Sequence, residues 1–172
     1  MPERKRGFEV ISKEQWEKDA REEGVDFYYD EIKLPKRMTS GSGGYDFFTP
    51  YAFTLNPGET IEIRTGIKAY MQPDEKFEIT PRSGLGFKYF LRLANTVGKI
   101  DSDYYNSEKT EGHIFIKLRN EGNSILVIEK GEAFAQGSFE KYLLADGDGF
   151  TGNKRVGGTG STGWLEKINL YI

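Results

Sequence analysis

The chain has 172 residues, 37% of them hydrophobic and 30% charged, with a formal net charge of −3. That is enough for one domain with a core, and the mild acidity argues against a nucleic-acid surface while still allowing a local basic pocket for a small anion. Without cysteine there is no disulfide framework, thiolate nucleophile or Cys-ligated metal; no apolar run nears the roughly 18 residues of a membrane helix, and the basic start "MPERKRGFEV" lacks the apolar core of a secretory signal, so a cytoplasmic protein is expected.

In chain order, residues 1–33 read as an N-terminal extension. One stretch in it is helical: "SKEQWEKDAREEG" opens on Ser12 as N-cap with Gln15 three positions on, and closes on Gly24. Trp16 and Ala20, four apart, form a narrow apolar stripe, so a surface helix docked by Trp16, or one covering a neighbouring subunit, is expected. From Tyr28 on, strand signals dominate. "AFTLNPGETIEI" reads as a strand, an Asn-Pro-Gly turn and a strand alternating through Ile61 and Ile63. "KFEITP" alternates through Phe77 and Ile79, and "GHIFIKLRN" puts Ile114, Ile116 and Leu118 on one face. "ILVIEKGEAFAQGSFEKYLL" is two strands flanking a Lys-Gly-Glu turn. Short strands at this spacing predict an all-β jelly roll, sandwich or barrel over 34–145. Residues 146–163, "DGDGFTGNKRVGGTGSTG", are too polar and Gly-rich for a core and read as a flexible arm, followed by a C-terminal extension over 164–172.

Four stretches carry residues suited to phosphate chemistry. In "PRSGLG", Arg82 offers a planar donor fork, Ser83 a hydroxyl, and Gly84 and Gly86 close backbone approach to an anion; by itself Arg-Ser-Gly after a strand is also a common turn. In "NTVGKIDSDYY", a hairpin would turn Val97 and Ile100 inward and present Asp101 at its mouth; alone, such an Asp is more often a turn residue than a base. In "GGYDFFTP", Asp46 beside phosphate donors would repel the ligand without a cation, which hints at Mg²⁺ held through water; the plain alternative is a turn Asp. Gln136 of "GEAFAQG" is an amide donor or an ordinary edge-strand residue.

Taken together, the order and types of these stretches resemble the trimeric dUTPase family. "SGGYDFF", "PRSGLG", "NTVGKIDSDY", "GEAFAQ" and "RVGGTGSTG" are similar to that family's five ordered motifs, over about Leu34 to Gly163. The resemblance implies a distorted jelly-roll or β-barrel-like fold, a homotrimer with active sites shared between chains, and Mg²⁺-dependent hydrolysis of dUTP to dUMP and pyrophosphate. That activity limits uracil in DNA and supplies dUMP. It places Asp101 as the base that activates water. Arg82, Ser83, Gly84 and Gln136 become triphosphate donors, and Asp46 the holder of the metal's water shell. Asn95 would read the uracil edge with main-chain groups of the same motif, Gly98 and Ile100 among them. Tyr104 would pack on the deoxyribose and leave a 2′-hydroxyl neither room nor partner. The arm would close over the nucleotide from a neighbouring subunit, with Gly160, Ser161 and Thr162 at the phosphates and Lys154 or Arg155 on the γ-phosphate. No membrane or direct nucleic-acid contact is implied.

This sequence departs from the family pattern in three places. Thr159 stands where a Phe usually stacks on uracil, with Phe150 or Trp164 as substitutes. Ala133 replaces an Arg. "NSEKTE", residues 106–111, interrupts the third motif before Gly112. Two other readings remain. The dCTP deaminases share the fold and an Arg-Ser motif, but Lys117 stands where they need a glutamate. A non-catalytic nucleotide-binding or regulatory trimer would keep the fold alone. His113, the sole histidine, reads as a strand residue rather than a catalyst.

Overall fold

The structure is a computed structural model and describes residues 3–21, 24–152, 155, 157 and 158. Alternating apolar positions form short strands: β1 (Gly7–Val10), β2 (Tyr45–Phe48), β3 (Phe53–Leu55), β4 (Thr60–Arg64), β5 (Ile67–Tyr70), β6 (Glu75–Pro81), β7 (Leu91–Leu93), β8 (Gly98–Asp101), β9 (Phe115–Asn120), β10 (Leu126–Ile128) and β11 (Ala133–Lys141). The spine is the antiparallel sheet β2-β11-β6-β8; the sheet β4-β9-β7 and the pairs β1-β5 and β10-β3 surround it. Phe77 and Ile79 of β6, and Ile114, Ile116 and Leu118 in and before β9, are buried as their alternation predicts. Phe47, Phe77 and Phe139 pack in a ring cluster with Phe8 of β1, with centroids 4.8–6.1 Å apart.

Local strand reading succeeds where local hairpin reading does not. β3 and β4 flank the Asn-Pro-Gly turn but do not pair; β3 pairs with β10 and β4 with β9. The third motif likewise follows a strand it does not pair with, β7 joining β9 while the motif's own β8 joins β6. Val97 is therefore not turned into the core as expected, but lines a surface cavity. Tyr28 lies in a 3₁₀ turn, Asp26–Glu31, and the strands of the main sheets begin only at Tyr45.

The N-terminal helix α1 (Lys13–Ala20) opens as read, with Ser12 Oγ accepting from the Gln15 amide, but ends with Arg21 as its C-cap, short of Gly24. Trp16 and Ala20 are completely buried with Ile11, against Tyr28, Tyr29 and Ile32. The reciprocal half of the capping box is replaced, since the Ser12 amide donates to Glu111 and the Gln15 side chain to Asp19. A second helix, α2 (Ser83–Tyr89), occupies the second motif, which the sequence reading left as a turn. Gly84 and Gly86 depress its helix propensity, and Phe90 ends it in the left-handed region at φ 56°.

Candidate active site

β8 is the edge strand of the main sheet, with Asp101 opposite Lys76 of β6. A 3₁₀ turn, Ser102–Tyr104, follows at once. Before β8, the turn carrying Asn95 is closed by hydrogen bonds from Thr96 N to Leu93 O, 3.1 Å, and Val97 N to Asn95 O, 2.7 Å. These segments bound a cavity of about 580 Å³ that takes in Asn95, Ile100, Asp101, Tyr104 and Arg155. The Asp101 side chain is half exposed there. The Tyr104 ring is buried, and its hydroxyl donates to the His113 carbonyl at 2.7 Å. Burial pushes the Tyr104 phenol above its usual pKa, against the opposing hydrogen bond from Thr110. Arg155 brings the arm to this cavity: its guanidinium donates to Asp101 and, at 3.3 Å, to Asp103.

The second donor set lies at the far end of β6. Arg82 is the N-cap of α2, with φ −61° and ψ 137°, and Ser83 and Gly84 form the first turn. The first intrahelical bond there runs from Gly86 N to Arg82 O, so the preceding amides have no intrahelical acceptor. Asp46, on β2, is 5% exposed, and Gln136 of β11 stands opposite it in register. Arg82 Nη2 approaches Asp46 Oδ2 to 3.2 Å without hydrogen-bond alignment, and that oxygen has no hydrogen-bond partner. Buried acceptors are rarely left so. Gln136 Nε2 reaches only the Pro81 carbonyl, at 3.5 Å.

Two groups of sequence-predicted residues are thus each brought together, and kept apart from one another. Asp101 faces Lys76 while Arg82 follows Pro81, six residues along one extended strand, which separates the two by about 20 Å at ~3.3 Å per residue. Gly98 pairs with Ile79 between them. Gly160, Ser161 and Thr162, with Lys154, Thr159 and Trp164, lie outside the described residues. Phe150 is 86% exposed and lines neither group. Glu62, Lys99, Thr110 and Phe115 line the Asp101 cavity without having been singled out. For Glu62 and Phe115 the outward phase of their strands was the available signal. For Thr110 there was none, since its place depends on the path of an insertion.

Fold and donor sets define a β domain with a corner of anion donors and a carboxylate-lined cleft. The dUTPase family model matches residues 30–148. A deoxyuridine 5′-triphosphate nucleotidohydrolase of Lactococcus lactis is 44% identical over 159 residues, 92% of this chain and 97% of the relative. One of Haemophilus influenzae is 39% identical over 119 residues, 67% of this chain and 75% of the relative. Among solved structures, a dUTPase from Streptococcus mutans superposes with a TM-score of 0.66 at 39% identity, covering 82% of this chain and 99% of that one. The chain belongs to the dUTPase family.

Proposed function

We propose that this chain hydrolyses dUTP to dUMP and pyrophosphate, in sites shared between the chains of a homotrimer. The observation that carries the shared site is the separation of about 20 Å along β6 between Asp101 and Arg82. No single α-phosphorus can meet both in one chain, whereas a symmetric assembly can bring one chain's cleft to another's corner. Exposed apolar side chains at Phe87, Phe90, Leu143 and Leu144 suit burial between chains.

Asp101 accepts a proton from water as the water attacks the α-phosphorus in line. Arg82, Ser83, the amides at the start of α2 and Gln136 hold the phosphate oxygens and the charge that spreads over them. Asn95 hydrogen-bonds the uracil edge, with the Gly98 and Ile100 main chain beside it, and Tyr104 packs on the sugar. Arg155 exchanges Asp101 for phosphate when the arm closes. Asp46 is the group suited to Mg²⁺. Its buried Oδ2 makes no hydrogen bond and lies in the corner beside the Arg82 guanidinium, and Mg²⁺ is commonly held by one or two carboxylates, water and substrate phosphates together. The ion, when bound, neutralises charge on the triphosphate.

Pyrophosphate release is to be compared for dUTP, dCTP, UTP and dTTP, with Asp101→Asn alongside. Turnover of dUTP alone, lost in the variant, is expected. Ammonia release from dCTP would overturn the reading in favour of a deaminase, and silence with every nucleotide in favour of a binding module.

A further inference from the structure

The insertion at 106–111 is not a loose surface turn. Asn106 and Glu111 hold left-handed conformations, φ 54° and 55°, and Gly112 follows at φ 80°. A Cβ on Gly112 would stand 2.7 Å from the Tyr104 carbonyl oxygen, so glycine is needed where the segment returns past Tyr104. The segment is tied to the N-terminal elements. Glu111 accepts from Ser12 N and Oγ and from Lys68, and Lys18 donates to the Lys109 carbonyl. Its interior holds a hydroxyl chain. Thr110 Oγ1 donates to Tyr104 Oη at 3.2 Å, and Tyr104 donates onward to the His113 carbonyl. Thr110 has a single hydroxyl hydrogen, so Ser107 Oγ, 2.9 Å from Thr110 Oγ1, supplies the donor behind it. His113 is fixed in turn: its Nε2 accepts from the Gly66 amide and its Nδ1–H faces Asp19 of α1 at 2.8 Å.

From this geometry we infer that Thr110 is a positioning residue for sugar selection, acting through Tyr104. The inference rests on the proposed place of Tyr104 against the deoxyribose. The phenol oxygen lies at the cleft wall against Gly158 of the arm, where an added Cβ would come within 3.0 Å of it. It is engaged on both sides: its hydrogen goes to His113 and a lone pair is taken by Thr110. A ribose 2′-hydroxyl entering here finds no partner, and a hydroxyl forced into a site without one is rejected. Removing the Thr110 donor frees an acceptor at this point and loosens the ring, so rejection of UTP should weaken.

The test is kcat and KM for dUTP and UTP with the full-length wild-type protein, Thr110→Val, Thr110→Ser and Ser107→Ala. Thr110→Val is expected to raise UTP kcat/KM relative to dUTP by about five- to tenfold, the scale of one hydrogen bond. The change should fall mainly on the KM for UTP. Thr110→Ser restores the wild-type ratio, which a loss of packing alone would not allow. Ser107→Ala shifts the ratio the same way by less, and decides the matter if Thr110→Val does not fold. An unmoved ratio in active, folded variants overturns the inference and leaves the dUTPase reading standing. A wild-type protein that does not turn over dUTP overturns both.

Discussion

The two ends of β6 are built in opposite ways. At the Asp101 end the carboxylates and the phenol have found partners: Asp101 and Asp103 with Arg155, Tyr104 with His113 and Thr110, Glu111 with Ser12 and Lys68. At the Arg82 end a buried carboxylate oxygen is unpartnered, a guanidinium sits beside it out of line, and an amide makes one long bond. A saturated surface discriminates, because any group that does not match loses its water without replacement. An unsatisfied surface waits for charge. On the proposed reading, the first end reads the nucleoside and the second binds the triphosphate and its cation.

The largest effects should come from removing one member of each end. Asp101→Asn should lower kcat by about 10²–10⁴-fold, the range of a general base. It should leave the circular dichroism spectrum intact, since the side chain is half exposed. Arg82→Ala should cost about 10²–10³-fold, as loss of one fixed charge donor does. The two sharpen the comparison when refolded together in equal amounts. If the ends belong to different chains of one site, about one site in four regains both wild-type groups. Activity near a quarter of wild type supports shared sites, and none at all puts both ends in one chain.

Next in size is the brace behind the saturated end. Trp16 is fully buried between α1 and the 3₁₀ turn before β2. Trp16→Ala should destabilise the protein by about 3–5 kcal/mol, read as a lower denaturant midpoint. Because α1 carries Asp19 and is capped by Ser12, discrimination against UTP should weaken along with stability at temperatures where the variant is still folded. Loss of stability with discrimination untouched would detach the N-terminal segment from sugar selection.

How much of this was legible in the sequence follows the same division. The strands could be read because alternation is local: Phe77 and Ile79, or Ile116 and Leu118, state their own phase. The motif residues of both ends could be named only through the resemblance of their order and types to the dUTPase motifs. The pairings of β3 with β10 and β4 with β9 were hidden, because sequence neighbours across a good turn are the first candidates for pairing and here they part. Helix α2 was hidden by its two glycines. Thr110 was hidden by sitting in a segment that reads as an insertion. His113 reads in the sequence as a strand residue, yet it lies just before β9 and joins α1 to the cleft through Asp19 and the Gly66 amide.

His113 also gives the smallest of the expected effects. Burial holds its pKa below the ordinary value, against the opposing pull of Asp19, with Arg64 on β4 and Glu111 also acting on it. Its Nε2 already accepts from an amide that can only donate, so a second proton there breaks a buried hydrogen bond. In the unfolded chain the imidazole takes up a proton near pH 6.5, while in the folded protein it does not until the pH is lower. Between those values the unfolded state binds more protons, so stability falls as the pH drops below about 6.5, by at most about 1.4 kcal/mol per pH unit. Asp19 behaves differently. Burial raises its carboxyl, but hydrogen bonds from His113 and Gln15 outweigh that and leave its pKa lowered, so its contribution is lost only in more acid solution, below about pH 4. The two windows are separate, and His113 is the only histidine in the chain. A thermal midpoint that falls by a few degrees per pH unit from 6.5 to 5.5, with the slope removed in His113→Gln, is the expected result. A flat midpoint across that range would mean that the imidazole is no less willing to be charged in the folded protein than outside it, and that the contact from α1 to the cleft is looser than its geometry implies.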